Sequence, residues 1–160
     1  MAAVDMFLKM GDIKGESKDA THKDEIDVLA WSWGQSNGHA QTGRGVLPVS
    51  CMQDLSLTKY IDAASPQLIL NGMTGEIVPT AVLTVRKAGD KPLEYLVITM
   101  TNVMVSSYST GGSGGEDRLT ENVTLHFDSM DGSYKKQKPD GTLDAEIVWN
   151  IGSQNSGACQ

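Results

Sequence analysis

Long apolar runs are absent from this sequence. The longest uninterrupted ones have four residues, such as those at 28–31 and 95–98, whereas a membrane-spanning helix needs about 20. The first residues also lack the basic segment of a secretory signal peptide, and Asp5 interrupts the only candidate apolar segment. We therefore predict a chain that carries no signal peptide and does not insert into a membrane.

Basic residues and cysteines are also scarce. Lysine and arginine number 13 against 20 aspartates and glutamates, which gives a net charge of −7. Because binding to phosphates depends on clustered basic charge, we expect no nucleic-acid partner. The two cysteines, Cys51 and Cys159, are too few for a disulfide framework and lack metal-ligand spacing. We predict two unpaired thiols, no structural metal and no cofactor.

Alternation of apolar and polar side chains is the dominant pattern that is present. It predicts strands at 4–10, 81–87, 96–104 and 118–128. In the last of these, Leu125 and Phe127 occupy the apolar face, so we expect both in the core. A length of 160 residues corresponds to a single domain, 1–160. Several short strands with turns between them favour a small barrel or sandwich.

Residues 25–34 predict a further strand with two different faces. Trp31 and Trp33 share one face and are expected to pack in the core. If they were exposed instead, they would form a stacking platform for sugars or bases. The opposite face shrinks to the small residues Ala30, Ser32 and Gly34. Such a face is either closely approached by another part of the structure or open to a space.

One short helix is predicted near the middle of the chain. The hydroxyl of Ser65 suits an N-cap, Pro66 suits the first helical position, and Gly72 suits the end. A helix of about two turns does not form alone, because its nucleation is costly. We therefore expect it to pack against a sheet.

Two predicted loops are unusual for their length or glycine content. Residues 35–48 contain three glycines and no apolar period, which predicts a 14-residue loop of the functional or mobile kind. The second loop, 109–117, joins two predicted strands and contains Gly111, Gly112, Ser113, Gly114 and Gly115. This run matches the Gly-x-Ser-x-Gly pattern of hydrolases, but that motif requires a following helix, and here a strand follows. We expect a flexible hairpin loop and no enzyme activity.

Several segments between residues 3 and 125 share a pattern with one known family. They are 3–9 (AVDMFLK), 15–19 (GESKD), 22–34 (HKDEIDVLAWSWG), 53–56, 58–62 and 109–125 (STGGSGGEDRLTENVTL). Together they cover about a third of the chain and resemble the Hcp family, the haemolysin-coregulated tube proteins of type VI secretion systems. The resemblance implies a mainly β fold, namely a compact β-barrel of two sheets with one short flanking α-helix, similar to phage tail tube subunits.

The resemblance also implies a structural and transport function. In the family, six copies form a ring with an open lumen, and rings stack into a tube. A contractile sheath propels the tube, and a spike caps it. Small effector proteins bind inside the ring and are protected there. The resemblance implies assembly in the bacterial cytoplasm, followed by secretion outside the cell or into target cells without a signal peptide.

Two sets of residues become candidates for these contacts. The face of Ala30, Ser32 and Gly34 is expected to line the lumen and contact effectors, with the secondary candidates Thr99, Thr101, Thr120 and Thr124. Residues 35–48 are expected to reach a neighbouring subunit or ring through Gln35, Gly38, Gly43, Arg44, Gly45 and Pro48. Two other functions stay open. One is a secreted effector, which would need an additional C-terminal toxin domain, and the other is a ligand-binding β-domain such as a lectin.

Overall fold

Strands account for most of the chain, and one helix accompanies them. The computed structural model describes residues 3–152, and every structural statement below concerns that range. In chain order the elements are β1 (Val4–Met10), β2 (Ile26–Asp27), β3 (Ala30–Ser32), β4 (Gln35–Thr42), β5 (Gly45–Met52), β6 (Leu55–Tyr60), α1 (Ser65–Thr74), β7 (Val78–Lys87), β8 (Leu93–Thr110), β9 (Thr120–His126), β10 (Ser129–Gln137) and β11 (Leu143–Ile151). The mainly β fold with one helix predicted from the sequence is confirmed.

The segments that alternate in the sequence form strands in the structure. β1 coincides with the predicted strand at 4–10, and β7, β8 and β9 cover most of the other three. In β6 and β9 every second side chain is buried. These side chains belong to a single hydrophobic core, in which Met100, Leu125 and Met130 are completely buried. Burial of that apolar surface is the main source of the fold's stability.

The long strand β8 joins two antiparallel sheets. Its first half pairs with β7 and β10, and its second half pairs with β9. We call the first sheet (β1, β2, β7, β10, β11 and the start of β8) sheet A, and the second (β3, β6, β9 and the end of β8) sheet B. Asn102 lies at the junction with a φ of 53°, a conformation that asparagine tolerates better than most residues. Its side-chain amide donates to Asp128 Oδ2 at 3.0 Å.

The two sheets nearly close on each other without forming a continuous barrel. The ladder runs β2-β1-β7-β8-β9-β6-β3, with β10 and β11 branching from β8. The single strand predicted at 25–34 is therefore wrong, since β2 pairs with β1 and β3 pairs with β6. Between them the chain crosses from one sheet to the other. The N–H of Val28 donates to Met6 O at 3.0 Å, and that of Leu29 donates to Thr58 O at 2.8 Å.

The helix differs from the prediction at both ends. It begins at Ser65 with Ala64 as N-cap, and no side chain caps it. It ends at Gly75, which has a φ of 72° and donates its N–H to Asn71 O at 2.9 Å. Gly72 lies inside the helix, where an added Cβ would stand 3.3 Å from Val105 Cγ1. Close packing on β8, rather than helix termination, therefore explains the glycine at 72.

The loop predicted at 35–48 is instead a β-hairpin. β4 and β5 pair in unbroken register from Gln35 opposite Met52 to Thr42 opposite Gly45, and they form a sheet of their own. The prediction failed because the backbone ladder needs no apolar periodicity, and none is present here. Gly43 and Arg44 form the turn, and Gly45 has a φ of 126° that favours glycine.

Two further predictions concern thiols and membranes. Cys51 in β5 is disulfide-bonded, so the prediction of an unpaired thiol is wrong at that position. Cys159 lies outside the described residues. Between residues 3 and 152 no helix is long and apolar enough to cross a membrane.

Candidate functional site

The exposed side of sheet B carries small uncharged side chains across four strands. We call it the small-residue face. In one row Ala30 aligns with Thr58, Asn122 and Ser109, and in the next Ser32 aligns with Ser56, Thr124 and Ser107. Cross-strand partners share a face of an antiparallel sheet, so these eight residues form one surface. Four of them hydrogen-bond across it in two pairs, Thr58 Oγ1 with Asn122 Oδ1 (2.8 Å) and Ser56 Oγ with Thr124 Oγ1 (3.3 Å).

The sequence-predicted lumen candidates fall on or near this surface. Ala30 and Ser32 are exposed members of the small-residue face, and Gly34 follows them, half-buried, at the start of the hairpin. The carbonyl of Gly34 accepts the N–H of Gln53 at 3.0 Å. Of the secondary candidates, Thr124 belongs to the face and Thr120 lies at the start of the same strand, whereas Thr99 and Thr101 belong to sheet A.

The aromatic residues of this region point toward the core, away from the small-residue face. Trp31 pairs with the buried Leu57, and both Trp31 and Trp33 are half-buried and pack against the core. Leu125 is 0% exposed and Phe127 is 2% exposed. The two tryptophans therefore form no open stacking platform of the kind that a lectin-like function would need.

A buried network of charged and hydroxyl groups lies beneath the small-residue face. Lys59 of β6 and Glu121 of β9 are both completely buried and form an ion pair. The Lys59 ammonium also donates to Asp62 Oδ1 and to Tyr60 O, both at 2.9 Å. Ser65, the first residue of α1, donates its hydroxyl to Glu121 Oε1 at 2.8 Å. These contacts hold the helix N-terminus against the core side of sheet B.

Tyr108 of β8 completes the network. Its hydroxyl donates to Glu121 Oε2. Burial and the neighbouring carboxylate raise the pKa of Tyr108 to about 12, because both disfavour a second negative charge. Sequence reasoning missed this network. The available signal was Lys59 and Glu121 at positions that the alternation assigns to the core, where unpaired charges are very costly.

A second ionic cluster fixes the segment between β1 and β2 onto sheet A. His22 contacts Glu25 Oε2 through Nδ1 at 2.8 Å and Glu94 Oε1 through Nε2 at 2.7 Å. The ring stacks on Phe7 with the centroids 4.5 Å apart. Burial lowers the pKa of His22, but the hydrogen bonds to Glu94 and Glu25 raise it by more, so the net pKa is above 6.5. Two carboxylate partners require both ring nitrogens to donate, which favours the imidazolium form.

Arg86 extends this cluster from β7. Its guanidinium pairs with Asp19 and lies 3.3 Å from Asp5 Oδ2, with its carbon 4.8 Å from the Phe7 ring centroid. The hydrogen bond from Arg86 lowers the pKa of Asp19 to about 2. The cluster is structural in kind, because each charge has an opposite charge beside it.

The remaining sequence candidates lie on two projecting segments. The predicted contact residues are in the hairpin, with Gln35 and Gly38 in β4, Gly43 and Arg44 in the turn, and Gly45 and Pro48 in β5. Gly111, Gly112, Ser113, Gly114 and Gly115 lie in the exposed connection between β8 and β9. His22 and His126 hydrogen-bond to carboxylates, and neither contacts Ser113. Between residues 3 and 152 no group of three potential ligands could hold a metal ion.

Solved structures with this architecture come from type VI secretion. A structure described as that of a type six secretion system protein superimposes with a TM-score of 0.85 at 28% identity, covering 96% of this chain and 99% of that one. Hcp1 from Salmonella typhimurium gives a TM-score of 0.79 at 33% identity, over 98% of this chain and 99% of the other. The fold thus defines a protein of the type VI secretion class.

Sequence comparison gives the family within that class. The family model described as "Type VI secretion system effector, Hcp" matches residues 7–134. The protein hcp1 of Pseudomonas aeruginosa is 56% identical over 155 residues, which cover 93% of this chain and 96% of that protein. The chain belongs to the Hcp family, as its sequence segments predict. It is a structural tube protein of type VI secretion.

Proposed function

We propose that six copies of this chain form a ring, that rings stack into the inner tube, and that the small-residue face lines the lumen. The tube would bind small effector proteins there, be propelled by a contractile sheath and be capped by a spike. Rings would assemble in the bacterial cytoplasm and leave the cell without a signal peptide. The family assignment supports the formation of a tube. The small-residue face supports the proposal of which surface lines the lumen.

That surface is distinguished by the absence of charged side chains among its eight residues. Charged residues make up 21% of the chain, yet the eight residues of the small-residue face are all uncharged. Six such faces around an axis would present a smooth wall of hydroxyl, amide and methyl groups. Cargo would find hydrogen-bond partners on these eight residues, with the carboxylate of Asp54, hydrogen-bonded to His126, at the edge of the wall.

The other side of the same sheet makes the proposed wall rigid. Leu57, Val123 and Leu125 anchor β6 and β9 in the core, and the pair of Lys59 with Glu121 cross-links them. A rigid backbone lets small side chains define the wall without gaps between strands. The hairpin, which projects as a separate sheet, supplies a second and different surface. A cyclic ring requires two such surfaces, since its contacts are head to tail.

The ring is tested by native mass spectrometry of the purified chain, with negative-stain imaging. Six copies of a 17.2 kDa chain give about 103 kDa, and the images should show a ring with a central hole. A protein that stays monomeric at every concentration tested would refute the ring.

The lumen wall is tested in rings that assemble. Ser32→Gln places a long side chain on the small-residue face, and Ser113→Gln makes the same change in the exposed loop. We expect Ser32→Gln to abolish protection of a co-expressed effector of the same secretion system against proteolysis, while Ser113→Gln protects it as the unmodified ring does. Equal protection by both variants would show that the small-residue face does not line the lumen.

A further inference from the structure

A charged cavity lies where the segment between β1 and β2 meets the ends of β2 and β6 and the residues before β9. Its volume is about 430 Å³, which falls within the range of about 300–1,000 Å³ that small-molecule sites occupy. It is lined by charged and aromatic side chains, namely Glu16, Lys18, Asp27, Tyr60, Asp62 and Arg118. What this cavity can bind depends on which of its charges already have partners within the chain.

Two of the three carboxylates are engaged within the chain. Glu16 Oε2 accepts the N–H of Ala63 at 2.8 Å. Asp62 Oδ1 accepts the Lys59 ammonium and the N–H of Ala64, both at 2.9 Å. These bonds hold the wall of the cavity in place. The negative charge of Glu16 is not cancelled by them, so it favours a ligand that carries a cationic group.

The two cations that line the cavity form no ion pair within the part of the chain that the structure describes. Neither Lys18 nor Arg118 contacts a carboxylate there. The Arg118 guanidinium stacks on Tyr60, with its carbon 3.9 Å from the ring centroid. Stacking fixes the plane of the guanidinium and leaves the N–H groups at its edge available. Such a fork of donors matches a carboxylate in geometry and in charge.

The third carboxylate, that of Asp27, forms no ion pair with any described residue either. Partial burial raises the pKa of Asp27, the hydrogen bond from Ser17 lowers it in part, and the carboxylate of Asp62 raises it further. The charge of Arg118 is near enough to act on that pKa, yet the two side chains do not pair directly. An ammonium group beside Asp27 would stabilise its ionised form.

From these unpaired charges we infer that the cavity binds an acidic α-amino acid such as L-glutamate. The groups on offer are two cations and one carboxylate, so the complementary ligand has two carboxylates and one ammonium. Because the ammonium and the α-carboxylate of an amino acid are attached to one carbon, they can bridge Asp27 and Arg118. The side-chain carboxylate of the ligand then pairs with Lys18. The inference does not rest on the proposed ring.

Isothermal titration calorimetry of the purified chain tests the site, at low ionic strength because salt screens exposed charges. L-Glutamate should bind with one site per chain. L-Glutamine lacks the side-chain carboxylate, and N-acetyl-L-glutamate lacks the ammonium. Each should bind weaker than L-glutamate by about tenfold or more, since each loses one hydrogen bond between charged groups.

Variants of the chain assign the contacts to particular side chains. Arg118→Gln and Asp27→Asn should each weaken the binding of L-glutamate by about tenfold or more, for the same reason. Lys23→Gln and Asp90→Asn remove one charge of the same sign at exposed positions that do not line the cavity. Both controls should bind L-glutamate as the wild type does. Circular dichroism verifies that every variant is folded.

Three results would overturn the inference. The first is the absence of saturable binding at L-glutamate concentrations up to about 10 mM. The second is an equal affinity for L-glutamate, L-glutamine and N-acetyl-L-glutamate, and the third is wild-type affinity in Arg118→Gln. None of these results bears on the ring, which native mass spectrometry and imaging test separately.

Discussion

Replacing Lys59 by Met should be among the most damaging single substitutions in this protein. Both Lys59 and Glu121 are 0% exposed. The Lys59 ammonium contacts Glu121, Asp62 Oδ1 at 2.9 Å and Ser65 Oγ at 3.3 Å. Methionine has a similar length and fills the same space, so packing changes little. The variant leaves the Glu121 carboxylate without its counter-charge in the core.

The expected loss follows from that uncompensated charge. Breaking one partner of a buried ion pair costs about 3–5 kcal/mol. For a chain of this size, 1 kcal/mol lowers the melting temperature by about 2–4 °C, so Lys59→Met should lower it by about 6–20 °C. The double variant Lys59→Met with Glu121→Leu removes both charges. It should be more stable than Lys59→Met alone, since an apolar pair often replaces a buried ion pair at little cost.

Urea unfolding followed by circular dichroism measures these free energies, at a protein concentration where assembly is the same for all variants. Lys9→Met is the control, because Lys9 is exposed in β1 and its loss should change stability by less than about 0.5 kcal/mol. The reasoning is refuted if Lys59→Met costs less than about 1 kcal/mol. It is also refuted if the free energy of unfolding falls as much in the double variant as in the two single variants combined, because the effects of independent sites are additive.

Two further predictions concern sheet A. Since the folded-state pKa of His22 is raised above 6.5, its ion pairs should stabilise the fold fully below that pH and lose their effect as the pH rises through the folded-state pKa. Urea unfolding at a series of pH values around that pKa should show the free energy of unfolding falling with pH in the wild type. His22→Phe keeps the stacking on Phe7 and should show no such fall. An equal pH dependence in both proteins would contradict the role of His22. Gly132→Ala places a Cβ in the space of the Trp149 ring. It should cost about 1–3 kcal/mol and shift tryptophan emission to longer wavelength, and an unchanged spectrum would argue against the contact.

Sequence patterns predicted the sheets well where one face of a strand is buried. β9 shows this most clearly, because each alternation of side chains corresponds to an alternation of burial. The same reasoning failed for the hairpin, because its two strands pair through their backbones and need no apolar periodicity. It also failed at 25–34, where the apolar residues do not form one strand. The chain crosses there from one sheet to the other.

The sequence predicted only part of the small-residue face. Small residues at 30 and 32 opposite the tryptophans were visible in the sequence, and the structure places them on one exposed face. The other six members of that face come from β6, β8 and β9. The alignment of β6 with β9 depends on pairings between residues more than 60 positions apart, such as Ser56 with Thr124.

The sequence by itself determined the class of this protein, because periodicity, composition and family segments are local properties of the chain. It determined that the chain is mainly β, that one helix packs on a sheet, and that the family is Hcp. Only the tertiary structure decided which residues share a surface. The pairing of Lys59 with Glu121 and the assembly of the small-residue face both depend on contacts between distant segments. Such contacts are decided by the packing of the whole core, so no single segment specifies both partners.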